Sequence, residues 1–205
     1  MCESMAEVRT LKQTLPVHGQ GLVGTPWWGM LCLIATEGIL FVYLIFSYAY
    51  LATQGPAGPW PTTGGSPSLT LAIPATLILL GSSVTAEWGK RTARLGKLGT
   101  ARLAYGLTIL LGLVFMGLSA REWADKPFGL GDSSYSSIYF LLTGTHLSHV
   151  AIGLVALIVM LVWSLRGKIH AGHDQHRTLA TLYWHFVDAV WIFVFITIYV
   201  SPRIA

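Results

Sequence analysis

The chain has 205 residues, of which 53% are apolar and only 11% charged, with a mean hydropathy of +0.60. A soluble domain has about 25% charged residues, so these charges are too few to cover a globule in water. Intrinsic disorder is excluded as well, because it requires low hydrophobicity and high net charge. The composition therefore indicates an integral membrane protein. The net charge of +4 bears on membrane topology and not on nucleic-acid binding.

Five apolar stretches are long enough to cross the bilayer, which requires about 20 apolar residues. They lie at about 28–51, 69–86, 103–120, 136–165 and 179–200. Each is expected to be a helix, because lipid cannot satisfy free backbone groups. The alternating pattern of a membrane barrel is absent. The predicted fold class is an all-α bundle of five transmembrane helices.

The basic residues predict the orientation of this bundle. Ten of the 13 flank the spans on one side, and the remaining three lie on the other side. The ten are Arg9, Lys12, Lys90, Arg91, Arg94, Lys97, Arg102, Arg166, Lys168 and Arg177, and the three are Arg121, Lys126 and Arg203. The positive-inside rule places the N-terminus in the cytoplasm and the C-terminus outside.

The sequence predicts no second domain at the ends or in the loops of the chain. Residues 1–26 are expected to form a cytoplasmic N-terminal arm, because Glu3 and Glu7 interrupt any signal peptide and no apolar core precedes Trp27. Residues 27–205 form the predicted transmembrane domain. The Gly- and Pro-rich segment at about 52–68 reads as an irregular external connector.

Glu37 is the sharpest polar exception within a span. It lies nine residues past Trp28, about 14 Å along a helix, and so near the midplane. An intramembrane carboxyl is costly and suggests a proton carrier, an ion site or a lipid-headgroup contact. A neutral, hydrogen-bonded carboxyl that fixes helix packing is equally compatible with the pattern.

His146 and His149 lie one helical turn apart in the fourth span, on one face of the helix. Such a pair can ligate a metal, but it lacks the adjacent acid of the HExxH zinc motif. Hydrogen bonds across helices are the favoured interpretation, since small residues near the pair allow close packing.

His185 and Asp188 have the same spacing in the fifth span, among aromatic residues. They can pair with each other or with a neighbouring helix, and a structural role is favoured.

Histidines at 170, 173 and 176 recur every three residues in the fourth loop, beside Asp174. The series permits a metal cluster. The favoured interpretation is that His173 and its neighbours are solvated or reach lipid phosphates.

Common catalytic and redox motifs are missing. The two cysteines, Cys2 and Cys32, are far apart and form no CxxC or Cys/His zinc pattern. Gly-rich phosphate loops, Ser-His-Asp arrangements and nucleic-acid motifs are absent. These residues therefore suggest no cofactor held by this chain.

Three ordered motifs resemble the haem-copper oxidase subunit III family. The first comprises residues 27–30 (WWGM), 36–43 (TEGILFVY) and 48–51 (YAYL). The second, residues 140–153 (FLLTGTHLSHVAIG), resembles the family's TGxHGxHVxxG helix. The third and most specific, residues 183–195 (YWHFVDAVWIFVF), resembles its final helix.

The chain departs from the family pattern at three residues. Leu147 and Thr145 replace a glycine and an aromatic beside the histidines, and Thr178 replaces a glutamate before the last helix. Mitochondrial members have seven helices, and this chain corresponds to the short five-helix bacterial type.

The resemblance implies an accessory subunit of a respiratory terminal oxidase that reduces dioxygen to water and pumps protons. It implies a multi-pass protein of the bacterial inner membrane. The partners would be oxidase subunits I and II, which hold the haem and copper, and no nucleic acid is implied. Bound phospholipid is expected in a cleft, and Glu37 matches a family carboxylate linked to lipid binding and oxygen access. Support for the catalytic subunit's stability and for proton uptake is implied as well.

Other functions remain open from the sequence. Related short proteins accompany nitric oxide reductase. An independent transporter could use Glu37 and Asp188 as a proton relay, although no broken helix or inverted repeat is evident. A metalloenzyme built on His146 and His149 is a further alternative.

Overall fold

The computed structural model describes residues 25–54, 60, 67–167 and 174–204. These residues form five long helices, with no strand in the described part. The helices are α1 (Thr25–Gln54), α2 (Leu69–Arg94), α3 (Leu98–Ala124), α4 (Ser134–Leu165) and α5 (Asp174–Phe195). All five spans are long and apolar enough to cross a membrane, the fifth counted as Gln175–Arg203. The predicted fold class is thereby confirmed.

The last helix changes its winding before it ends. A π-helical turn, Ile196–Val200, follows α5, and a final α-helical turn, α6 (Ser201–Ile204), follows that. The backbone N–H of Ser201 donates to the carbonyl of Ile196, a bond over five residues. Such a turn rotates the following side chains relative to a regular helix.

Local sequence signals set the helix ends. The Ser68 hydroxyl accepts from the Thr70 backbone N–H, and Ser133 forms a capping box with Ser136. Gly96 ends α2 with a φ of 75°, a conformation in which glycine has no steric penalty. The Lys97 backbone N–H then donates to the Thr92 carbonyl at 3.0 Å.

Helices α4 and α5 occupy the centre of the bundle. α5 packs against α1, α2 and α4, while α3 packs against α2 and α4. The Trp184 side chain is fully buried among these helices and donates from Nε1 to the Ser82 hydroxyl at 2.9 Å. α1 lies at the edge, with only Phe41, Leu44 and Tyr48 buried.

Basic side chains lie at both ends of the bundle and contact backbone or hydroxyl groups there. At one end Arg102 donates to the Ser164 carbonyl at 2.6 Å, and Arg94 donates to the Thr178 hydroxyl at 3.3 Å. At the opposite end Arg203 donates to the Pro67 carbonyl. The basic residues that the topology prediction groups together therefore lie at the same end of the bundle, as far as the described residues extend.

Candidate functional site

Two groups of polar side chains join neighbouring helices within the described part of the bundle. One joins α1 to α4 through Glu37 and His149. The other joins α2 to α5 through Ser83, Glu87, His185 and Asp188. We call them the Glu37 pair and the Asp188 chain.

The Glu37 pair is a direct contact between two helices. His149 Nε2 lies 3.0 Å from Glu37 Oε2, and His149 Nδ1 lies 2.7 Å from the Thr145 carbonyl oxygen. A carbonyl only accepts, so Nδ1 must carry a proton and donate to it. Nε2 then either donates to an ionised Glu37 or accepts from a protonated one. The pair holds one shared proton and no net charge in both forms.

One aromatic ring packs against the histidine of this pair. The Phe41 ring meets the His149 ring edge-on, with centroids 5.0 Å apart. The His149 side chain is 11% exposed and that of Glu37 is 30% exposed. The carboxyl therefore lies at the bundle surface, where a molecule in the membrane can reach it.

His146 faces a different helix from its neighbour. Its Nε2–H donates to the Val187 carbonyl at 3.2 Å, and its ring lies 4.8 Å from that of Trp191. Its Nδ1 is buried without a hydrogen-bond partner. The structure thus gives both histidines hydrogen bonds across helices, the interpretation favoured from the sequence.

In the Asp188 chain, His185 and Asp188 are joined through α2 and not to each other. The Ser83 hydroxyl donates to Asp188 Oδ2, and His185 Nδ1 lies 2.9 Å from the same hydroxyl. On its other side His185 Nε2 lies 3.6 Å from Glu87 Oε2. Of the two pairings left open from the sequence, the one with a neighbouring helix is present.

Glu87 was missed by the sequence analysis because it follows the predicted end of the second span. It lies inside α2, where its carboxylate contacts Lys90 at 2.5 Å and Arg91 at 3.0 Å. The available signal was its spacing of four residues from Ser83, which places both on one helix face.

A further polar group, also missed from the sequence, lies at the opposite end of the bundle. Glu122 Oε1 accepts from Lys126 Nζ at 3.0 Å, from the Tyr199 hydroxyl at 2.7 Å and from the Tyr139 hydroxyl at 3.3 Å. We call this arrangement the Glu122 cluster. The sequence signal was the i, i+4 spacing of Glu122 and Lys126 just past the third predicted span.

The structure shows no metal site among the residues that it describes. There, no three His, Cys, Asp or Glu side chains group closely enough to hold a metal ion. His170 and His173 of the fourth loop lie outside the described residues, whereas His176 is exposed on α5.

An apolar groove opens between α1, α4 and α5. Its volume is about 390 Å³, and its lining includes Leu33, Ala156, Trp163 and Tyr183. Leu33 lies one helical turn before Glu37. The groove therefore runs along the bundle from the neighbourhood of the Glu37 pair towards His176, which also lines it.

Comparison with known proteins identifies the family. The family profile described as Cytochrome c oxidase subunit III matches residues 12–202. The cytochrome c oxidase subunit 3 proteins of Latimeria chalumnae and Mus musculus are each 36% identical to the chain, and that of Gallus gallus is 37% identical. Each match covers 177 residues, 84% of this chain and 68% of the relative. The chain belongs to the cytochrome c oxidase subunit III family.

Proposed function

We propose that this chain is the accessory subunit III of a respiratory terminal oxidase that reduces dioxygen to water and pumps protons. Subunits I and II would hold the haem and copper, and the complex would lie in a bacterial inner membrane. The observation that carries the proposal is the family match over residues 12–202. The described residues are compatible with it, since their intramembrane histidines bond to protein groups on neighbouring helices.

We further propose that the apolar groove holds a phospholipid acyl chain beside the Glu37 pair. The groove lining is almost wholly apolar and lies between three spans, which suits a hydrocarbon tail. Glu37 is partly exposed at the bundle surface, so it is accessible to lipid or to dissolved oxygen. His146 and His149 would contribute to helix packing near Glu37, His185 and Asp188 would contribute to packing between α2 and α5, and His173 would face lipid headgroups.

Copurification tests the accessory role. An affinity-tagged chain extracted in mild detergent is expected to bring down oxidase subunits I and II, with a haem spectrum and oxygen consumption. Recovery of the chain alone, or with a nitric oxide reductase, would overturn the proposal.

Glu37→Ala tests the role of the Glu37 pair in the same complex. The complex is expected to assemble with its haems, but with less bound phospholipid or a shorter active lifetime during turnover. Glu37→Gln is the matched control, because its amide retains a hydrogen bond to His149 and should preserve both properties. Loss of all haem from Glu37→Ala would count against a peripheral role for this carboxyl.

A further inference from the structure

The Asp188 chain connects the membrane interior to a recess on the surface of the bundle. Glu87 lies seven residues before the end of α2, about 10 Å along the helix. Asp188 lies fourteen residues after the start of α5, about 21 Å along it. A recess of about 420 Å³ opens beside the chain, lined by Ser83, Glu87, Arg91 and His185 among others. Polar groups thus run from near the basic end of the bundle to about the middle of the membrane.

Asp188 itself has an incomplete set of partners. Its side chain is 3% exposed, and the Ser83 hydroxyl donates to Oδ2. Oδ1 is buried without any hydrogen-bond donor. A buried carboxylate oxygen with no donor is costly as an anion, and binding a proton removes that charge.

Three helices pack against α5, and each has charged or titratable groups. They include Glu87, Lys90 and Arg91 on α2, His146 on α4, which donates to the carbonyl of Val187 beside Asp188, and Glu37 on α1, which is paired with His149. Of these, only the α2 groups lead to Asp188 through described contacts, by way of His185 and Ser83.

We propose that Asp188 is a reversible proton-binding site inside the membrane, loaded from the recess beside Glu87 through His185 and Ser83. The site concerns this chain alone and goes beyond the accessory role proposed above. Each group in the series both accepts and donates a proton, which a relay requires.

The proton balance of one loading step follows from the contacts. Before loading, Ser83 donates its one hydroxyl proton to Asp188 in a hydrogen bond. His185 Nδ1 must therefore carry a proton and donate it to Ser83 Oγ in a second hydrogen bond. A proton arriving at Nε2 by way of Glu87, through a bridging water or a small side-chain movement, makes His185 an imidazolium. His185 Nδ1 then releases its proton to Ser83 Oγ while the Ser83 hydroxyl proton passes to Asp188. Asp188 ends protonated, and Ser83 and His185 end neutral.

Infrared difference spectroscopy on the purified complex tests the site. Changing the pH over a film of the complex should produce a carbonyl-stretch signal from a carboxylic acid that gains and loses its proton. Asp188→Asn is expected to remove one component of that signal, because the amide cannot ionise yet still accepts from Ser83. Asp125→Asn, at an exposed carboxylate, is the matched control and should retain the component. An Asp188→Asn spectrum identical to that of the parent would overturn the proposal.

The relay is tested by the rate at which Asp188 takes up its proton, measured in variants that retain Asp188. Ser83→Ala removes the hydroxyl between His185 and Asp188, so the signal after a pH jump should rise about tenfold more slowly. Ser148→Ala is the control, since the Ser148 hydroxyl donates to Gly144 of its own helix. Loading of Ser83→Ala at the parental rate would overturn the proposal even if Asp188→Asn failed to assemble. Haem content and copurification, read on the same samples, report separately on the accessory role.

Discussion

At the scale of single residues, the Glu122 cluster shows how the bundle holds a charge away from water. Lys126 and Glu122 have side chains only 8% and 10% exposed. Two tyrosine hydroxyls donate to the same carboxylate oxygen, and the Lys126 ammonium lies 4.9 Å from the centroid of the Tyr139 ring. The pair is therefore compensated by hydrogen bonds as well as by charge.

We predict that Glu122→Ala destabilises the chain by about 3–5 kcal/mol, because it leaves the buried Lys126 ammonium without its counter-ion. Unfolding in mixed micelles measures this loss. Asp125→Ala is the control, as the Arg121–Asp125 pair is largely exposed at 3.9 Å and should contribute less than about 1 kcal/mol. The double replacement Glu122→Leu with Lys126→Leu should be milder than Glu122→Ala. Equal losses for Glu122→Ala and Asp125→Ala would contradict the prediction.

The sequence could identify the intramembrane polar residues but not all of their partners. Glu37, His146, His149, His185 and Asp188 stand out because an ionisable group within an apolar run is rare. Their pairings depend on how the helices pack, which periodicity along one chain does not specify. The link from His185 to Asp188 through Ser83 of another helix is such a case.

At the scale of the helices, the number of spans was predictable, but several of their ends were not. Apolar composition ends the second span at about residue 86, but α2 continues to Arg94. The backbone hydrogen bonds of a helix continue past the hydrocarbon into the interface, where charged side chains are tolerated. Glu87 and Glu122 lie in such extensions and were missed for that reason.

Two glycines set the approach of α3 and α4 to the buried Trp184. A Cβ at Gly112 would lie 2.8 Å from Leu154 and 2.9 Å from Trp184, and one at Gly153 would lie 2.9 Å from Trp184. The indole has no open space to move into, since Trp184 is fully buried. Close helix packing at small residues is the expected means of association within a membrane.

We predict that Gly112→Ala and Gly153→Ala each destabilise the bundle by about 1–3 kcal/mol through overpacking against Trp184. Gly117→Ala, on the same helix as Gly112, is the control because a Cβ there meets nothing within 4 Å. That change should be neutral or slightly stabilising, since alanine favours a helix over glycine. Thermal unfolding of the three variants in detergent gives the order of their stabilities. A Gly117→Ala loss as large as that of Gly112→Ala would refute the role of these contacts.

At the scale of the whole molecule, the Glu37 and Glu122 carboxyls are each paired with a basic side chain within the bundle. The Glu37 pair carries no net charge in either proton arrangement, and Glu122 is matched by Lys126. Among the described residues, most of the other basic side chains lie at the α2–α3 and α4–α5 end, whereas Arg121 and Arg203 lie at the opposite end. This asymmetry is the basis for predicting which end of the bundle faces the cytoplasm.

We predict that the end containing the α2–α3 turn faces the cytoplasm. Leu95 in that turn and Leu130 in the α3–α4 connection are a matched pair, being 71% and 66% exposed. In a chain with both native cysteines replaced by serine, Leu130→Cys should react with a membrane-impermeant maleimide in cells whose outer membrane has been permeabilised and whose inner membrane is intact. Leu95→Cys should react only after the inner membrane is permeabilised. The reverse labelling pattern would show that the positive-inside rule fails for this bundle, because the two probes differ mainly in the end at which they lie.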